Sequence, residues 1–142
     1  MKISSKGRYA VRVMVDLAVH SEEGCQNVKQ IAKRQGISEK YLEQVIAILN
    51  RANMVSSVRG AQGGYTLADA PEKITVGMIL RATEGSLGPV SCVDAGMEGE
   101  CSRCMQCETI DVWRVLSDAI NQVVDSYTIA ELAKKQIERS HS

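Results

Sequence analysis

Apolar positions recur along this chain at helical spacing over several stretches, and the breaks between them lay out the order of elements. From Lys6 to His20, Tyr9, Val13 and Leu17 form one row and Ala10, Met14 and Ala18 an adjoining one, which predicts a first helix. Glu22–Gly24 ends that pattern. A shorter helix is expected over Val28 to Gln35, with Val28, Ile31 and Ala32 inward and Asn27 as its cap. Gly36 suits the left-handed position that stops a helix. Ser38 can then cap a third helix, whose apolar residues are Tyr41, Leu42, Val45, Ile46, Ile48 and Leu49. Short helices joined by a brief turn containing glycine make a helix-turn-helix.

The period then changes. MVSSVR (54–59) and YTLA (65–68) flank the loop GAQGG (60–64), which predicts a β-hairpin, here a wing. Pro71 punctuates the chain, and Thr75 is placed to cap a helix reaching about Thr83. Residues 84–108 carry no apolar period but four glycines, one proline and four cysteines. A loop that long in a compact chain is functional or disordered, and its cysteines favour function. A long helix follows from Thr109 to Ser126 with two apolar rows: Ile110, Trp113, Ser117, Ile120, Val124 and Val112, Val115, Ala119, Val123. Such a helix needs two partners to bury it. In so small a chain those are the winged domain and a second subunit. Thr128 and Glu131 form a capping box for a last helix to about Arg139. The expected fold is mainly α with a small β-wing. A winged helix-turn-helix domain (1–83) is followed by a cysteine-rich loop (84–108), then a dimerisation helix and C-terminal helix (109–142).

Composition adjusts this picture in three ways. Aromatics are 4% and phenylalanine is absent, so the core is aliphatic. No 18-residue apolar run is present, which predicts no membrane span. Charges at the start stand where a signal peptide needs an apolar segment, so a cytoplasmic location is expected. The formal net charge is zero, yet it is unevenly spread. Residues 1–68 hold ten Lys/Arg against five Asp/Glu, a net of +5, and residues 69–142 hold seven against twelve, a net of −5. The first half is suited to a polyanion.

On the third helix, Glu39, Lys40, Glu43, Gln44 and Ala47 turn away from the apolar face. There they would enter a major groove, where Gln pairs with adenine and Glu accepts from cytosine. Lys2, Lys6, Arg8, Arg12, Lys29, Lys33, Arg34 and Arg51 are available for phosphates. Arg59 stands at the wing's tip beside Gly60, where an arginine can enter a narrow minor groove. The candidate DNA-binding set is Ser38, Lys40, Glu43, Gln44, Arg59 and Gly60.

Cys92, Cys101, Cys104 and Cys107 lie within sixteen residues, and Cys25 stands apart. In a reducing compartment such clustering points to metal or redox chemistry rather than disulfides. Thiolates bind iron–sulfur clusters and zinc alike, so spacing alone leaves cluster, zinc, thiol switch and inert thiols open. Cys25 reads as a small hydrophobe, His20 and His141 as structural or solvated, and Trp113 as packing. No nucleophile–base pair, phosphate-binding glycine loop or paired carboxylates suggest an enzyme.

MKISSKGRYAV at the start, ISEKYLEQ (37–44), VSSVRGAQGGYTLA (55–68) and the Trp113 helix together resemble the winged-helix regulator family of IscR, NsrR and CymR, in its IscR type. The resemblance spans nearly the whole chain. It implies a homodimer crossed by the long helix, with Glu43, Gln44 and Arg59 contacting an operator in double-stranded DNA. It also implies an iron–sulfur cluster, [2Fe-2S] for the IscR type, in the cysteine loop. Three cysteines and a histidine three residues after the last are that type's ligands. By distance to Trp113, Cys107 and Cys101 fill the last two cysteine positions and Cys92 the first. The histidine position falls on Ile110, and Cys104 is extra. The acidic residue that NsrR-like members place near the N-terminus is Arg8 here. The fourth ligand is thus open between Cys104 and another group. The implied function is a transcription repressor that senses iron–sulfur status and controls genes for cluster assembly or sulfur metabolism, in contact with the cluster-assembly machinery. The alternative is a repressor responding to nitric oxide or thiol redox state.

Overall fold

The computed structural model describes residues 2–94 and 102–141. Six α-helices and one two-stranded antiparallel sheet carry the described residues: α1 (Ser5–Val19), α2 (Val28–Gln35), α3 (Glu39–Arg51), β1 (Val55–Val58), β2 (Gly64–Leu67), α4 (Val76–Glu84), α5 (Ile110–Ser126) and α6 (Ile129–Ser140).

Local capping explains where the N-terminal helices start. The Gly7 N–H donates to Ser4 Oγ at the head of α1. At α2, Asn27 and Gln30 exchange bonds: the Gln30 N–H donates to Asn27 Oδ1 at 2.9 Å and the Asn27 N–H to Gln30 Oε1 at 3.0 Å. Gly36, at φ 67° and ψ 35°, ends α2 in the left-handed conformation that a glycine adopts without strain. Two residues later Ser38 Oγ accepts from the Tyr41 N–H and starts α3. Thr75 and Thr128 cap α4 and α6 in the same way. The helix-turn-helix is therefore set by short-range chemistry.

One aliphatic core collects the apolar stripes. Ala10, Val13, Met14 and Leu17 of α1 meet Ile31 and Ala32 of α2, Leu42, Val45, Ile46 and Leu49 of α3, Ile79 of α4 and Ile129 of α6. Met14, Ile31, Leu42, Leu49, Ile79 and Ile129 are each 0% exposed. Burial at that level contributes about 1.5–3 kcal/mol per side chain. The C-terminal helix α6 packs along α1. The Ile129 N–H donates to the Ile74 carbonyl and the Val76 N–H to the Tyr127 carbonyl, so the α5–α6 junction is stitched to the segment entering α4. The last helix thus shares the core of the N-terminal half rather than standing apart with α5.

The wing pairs Val55 with Leu67 and Val58 with Gly64. Its returning strand also bridges Gln26 through Tyr65, with the Tyr65 N–H on the Gln26 carbonyl at 2.8 Å and the reverse bond at 3.0 Å. That approach requires glycine at 64, because a Cβ there would strike the Gln26 backbone. Gly60 serves otherwise: it turns the loop at φ 115° with open space around it.

The segment after α4 is mostly irregular but not featureless. Short helical turns form at Ser91–Val93 and Cys104–Gln106, and Leu87 is buried. The first of these turns packs against α5.

Candidate nucleic-acid interface and cysteine loop

Helix α3 divides sharply between its two faces. Leu42, Val45, Ile46 and Leu49 are at most 2% exposed, while Glu39, Lys40, Glu43, Gln44 and Ala47 lie on the surface. Among the described residues, Lys40, Glu43, Gln44 and Arg59 have no side-chain hydrogen bond or ion pair within the chain. Surface side chains with no internal partner leave their donors and acceptors open to water or to another molecule. Ser38 has given its acceptor to the cap, and its hydroxyl proton remains available. Arg59 and Gly60 occupy the exposed turn between β1 and β2.

The basic residues fall into two groups. Lys2, Lys6, Arg8, Lys29, Lys33 and Arg51 are exposed. Arg12 and Arg34, expected with them, are also paired within the chain. Arg12 lies over the Tyr9 ring at 5.0 Å and donates from Nε to Gln35 Oε1 at 2.9 Å. Arg34 grips Asp16 with two parallel bonds, Nε to Oδ2 at 2.9 Å and Nη2 to Oδ1 at 2.6 Å. The Asp16 side chain is 3% exposed and that of Arg34 28%. The bonds from Arg34 to Asp16 raise the guanidinium's pKa further, against the pull of burial. Sequence reading missed this pair. Its signal was an aspartate inside the apolar run VMVDLAV (13–19), which demands a buried partner.

The cysteine loop is less complete. Cys92, Cys104 and Cys107 are each half-buried, and Cys101 lies outside the described residues. Cys107 Sγ stands 3.1 Å from Thr109 Oγ1, and the Ile110 N–H at the head of α5 donates to the Cys107 carbonyl. The thiol is held below its ordinary range, first by the Thr109 hydroxyl and then by the Thr109 backbone. Among the described residues no three His, Cys, Asp or Glu side chains converge as a metal-binding group. Ile110 is 8% exposed and belongs to the packed side of α5. Cys25, read as a small hydrophobe, is half-buried and donates its thiol to the Gln62 carbonyl of the wing loop at 3.0 Å.

Behind the loop, α5 keeps the two rows apart. Ile110 and Ser117 are buried, and Trp113, Ile120 and Val124 half-buried, against the rest of the chain. Val112, Val115 and Val123 are 57%, 68% and 57% exposed. Arg81 of α4 locks the inner side, donating to both carboxylate oxygens of Asp125 and to Asn121 Oδ1, each at 2.8 Å. Among the described residues no helix is long and apolar enough to cross a membrane.

Residues 3–135 match the family described as Rrf2, iron-dependent transcriptional regulator. The chain is 44% identical over 132 residues to the HTH-type transcriptional regulator IscR of Aliivibrio salmonicida, covering 93% of this chain and 77% of that protein. It is 43% identical to IscR of Erwinia tasmaniensis, over 96% of this chain and 81% of that protein. Among solved structures, T. potens IscR superposes with a TM-score of 0.76 at 45% identity, covering 96% of this chain and 88% of that one. CymR, the global cysteine regulator of B. subtilis, does so with a TM-score of 0.77 at 39% identity, over 95% and 98%. The chain belongs to the Rrf2 family: it is a winged-helix, DNA-binding transcription regulator and not an enzyme.

Proposed function

We propose that this regulator reads operator DNA with Ser38, Lys40, Glu43 and Gln44 in a major groove and with Arg59, beside Gly60, in the flanking minor groove. The observation that carries this reading is the two-faced α3, packed on one side and without internal partners on the other. Glu43 and Gln44 supply base discrimination; Lys6, Arg8, Lys29 and Lys33 supply salt-dependent affinity. The outer row of α5 is the surface on which a second copy packs, giving a homodimer that spans two half-sites. Three exposed valines on one helix support that assignment.

The cysteine segment is proposed to hold an iron–sulfur group of the [2Fe-2S] kind. The donor set fits by its chemistry: four thiols in sixteen residues, one already biased toward thiolate beside a helix N-terminus. Cys92, Cys101 and Cys107 would hold it, with Cys104 as the fourth ligand in place of the buried Ile110. Bound there, the group supplies a centre sensitive to iron supply, oxidants and nitric oxide. The protein's part would be to supply these four thiolates from the segment that leads into α5, so that the loop's arrangement bears on the dimerising helix. Repression of genes for cluster assembly or sulfur metabolism, with cytoplasmic exchange with the assembly machinery, is the physiological role that fits.

The test is anaerobic purification with iron, sulfide and zinc analysis, followed by randomised-site selection with and without the group. Iron and sulfide in equal amounts, and a different affinity in the two states, are expected. Zinc alone would overturn the cluster, and equal affinity in both states would overturn sensing. Loss of base preference in Glu43→Ala, about 1–3 kcal/mol, is expected if that side chain reads a base.

A further inference from the structure

Among the described residues Asp16 is the one acidic side chain the core swallows, and three side chains converge on it or on its partner. Arg34 of α2 grips it with two bonds, and Gln35 Nε2 adds a third at 2.9 Å. The same Arg34 Nη2 donates to Gln26 Oε1 at 3.0 Å. Gln26 is 3% exposed, and its backbone is the one that pairs with Tyr65 of β2 in both directions. Three separate pieces therefore meet at one guanidinium: α1 through Asp16, α2 through Arg34 itself, and the wing's returning strand through Gln26. Among the described residues the hairpin's only sheet partner besides itself is that Gln26 bridge.

We infer that Arg34 is a positioning residue for DNA recognition, fixing the wing's orientation relative to the helix-turn-helix so that Arg59 arrives at the groove as α3 is seated. The inference rests on the wing reading above. Its physical basis is that a guanidinium offers a rigid planar fork, while a carboxylate and an amide oxygen are both held in place by burial. A lysine keeps the charge but has no fork, so it cannot hold Asp16 twice and Gln26 as well. A phosphate contact depends more on the charge, which a lysine keeps as a point charge.

The experiment is a double-mutant cycle on operator binding by the full-length protein, using Arg34→Lys, Arg59→Ala and Gln44→Ala. Arg34→Lys is expected to weaken binding about tenfold, although it retains the charge. In that background Arg59→Ala should cost no more than about twofold further, while Gln44→Ala loses the same factor as in the parent protein. Independent, multiplying losses for Arg34→Lys and Arg59→Ala would overturn the inference, as would full affinity in Arg34→Lys. If Arg59→Ala alone changes nothing, the wing contact itself is wrong. The clamp is then judged without DNA, by amide exchange. The Tyr65 N–H, bonded to the Gln26 carbonyl, should exchange faster in Arg34→Lys while the Val45 and Leu49 amides of α3 hold. An unchanged Tyr65 amide, or equal acceleration throughout, would refute the clamp.

Discussion

The winged core and helix α5 use the same aliphatic residue types to opposite ends. In the core every valine, isoleucine and leucine on the inner faces of α1 and α3 meets another element, and Val13, Leu42 and Val45 are 0% exposed. On α5 the inner row is covered, and the outer valines stand 57–68% exposed. Polar groups show the same contrast. Asp16 is fully engaged by Arg34 and Gln35, whereas in the cysteine segment the described thiols do not converge. One half of the chain is finished by its own contacts, and in the other the outer valines of α5 stand uncovered by the described residues.

The comparison breaks most visibly by placing a charge or a void on each side of it. Leu42→Ala should cost about 2–5 kcal/mol of stability, since a fully buried leucine leaves a cavity that close packing cannot refill. Val115→Asp, at a position 68% exposed, should leave the isolated chain's melting within about 0.5 kcal/mol. It should nonetheless abolish dimer formation in sedimentation and weaken a two-half-site operator about a hundredfold. A Val115→Asp protein that remains dimeric would move the interface elsewhere.

A smaller effect is expected where the core meets the wing. Gly64→Ala drives a methyl group into the Gln26 backbone, which has no rotamer to escape by. Stability should fall by about 1–3 kcal/mol. The loss should concentrate in β2, seen as faster exchange at Tyr65 than at Leu49. Gly60→Ala meets open space and is strained only by its positive φ, so comparing the two separates crowding from backbone conformation.

Sequence reading recovered the parts governed by near neighbours. Asn27, Gly36, Ser38, Thr75 and Thr128 are legible because a cap is decided within three residues. The split rows of α5 were legible for the same reason, as periodicity is local. Arg34 was misread as a phosphate contact because a basic residue on a basic helix looks solvated. Its partner Asp16 lies eighteen residues earlier, and only the fold joins them. The attachment of α6 to α1 was missed for a similar reason: Ile129 looks like any helix-start isoleucine until the Thr75–Thr128 bridge delivers it to the core. In the cysteine segment spacing marks four candidate thiols, but those described do not converge, and nothing local in the sequence says which would meet.

The seam between the two regions, Arg81 on Asp125, should respond to pH. The Arg81 hydrogen bonds, and then its charge, hold the Asp125 carboxyl below the usual carboxylate range. A depressed carboxylate stabilises the fold fully above its unfolded pKa of about 4, and that contribution disappears as pH falls through the lower folded value. The pair is 38% and 46% exposed, so water screens it. Arg81→Ala should therefore cost only about 0.5–1 kcal/mol at neutral pH, and the difference from the parent protein should shrink in acid below about pH 4. A difference that persists in strong acid would mean that Arg81 acts through the packing of its stem.

The smallest effect is predicted inside the finished half, at its one polar flaw. Tyr41 packs edge-on against Tyr9, with ring centroids 5.7 Å apart and planes at 85°. Its hydroxyl oxygen is buried and has no hydrogen-bond partner. The ring contact belongs to Tyr41's aromatic body, and the hydroxyl brings only the cost of losing water. Tyr41→Phe keeps the first and removes the second, so stability should hold or rise by up to about 0.5 kcal/mol. A loss greater than about 1 kcal/mol on chemical denaturation would mean that the hydroxyl has a partner after all, supplied by water or by the second copy. Measuring the variant as monomer and as dimer, using Val115→Asp to separate them, assigns that partner. If the loss appears only in the dimer, the second subunit reaches α3 itself, and the winged core is not finished by its own contacts.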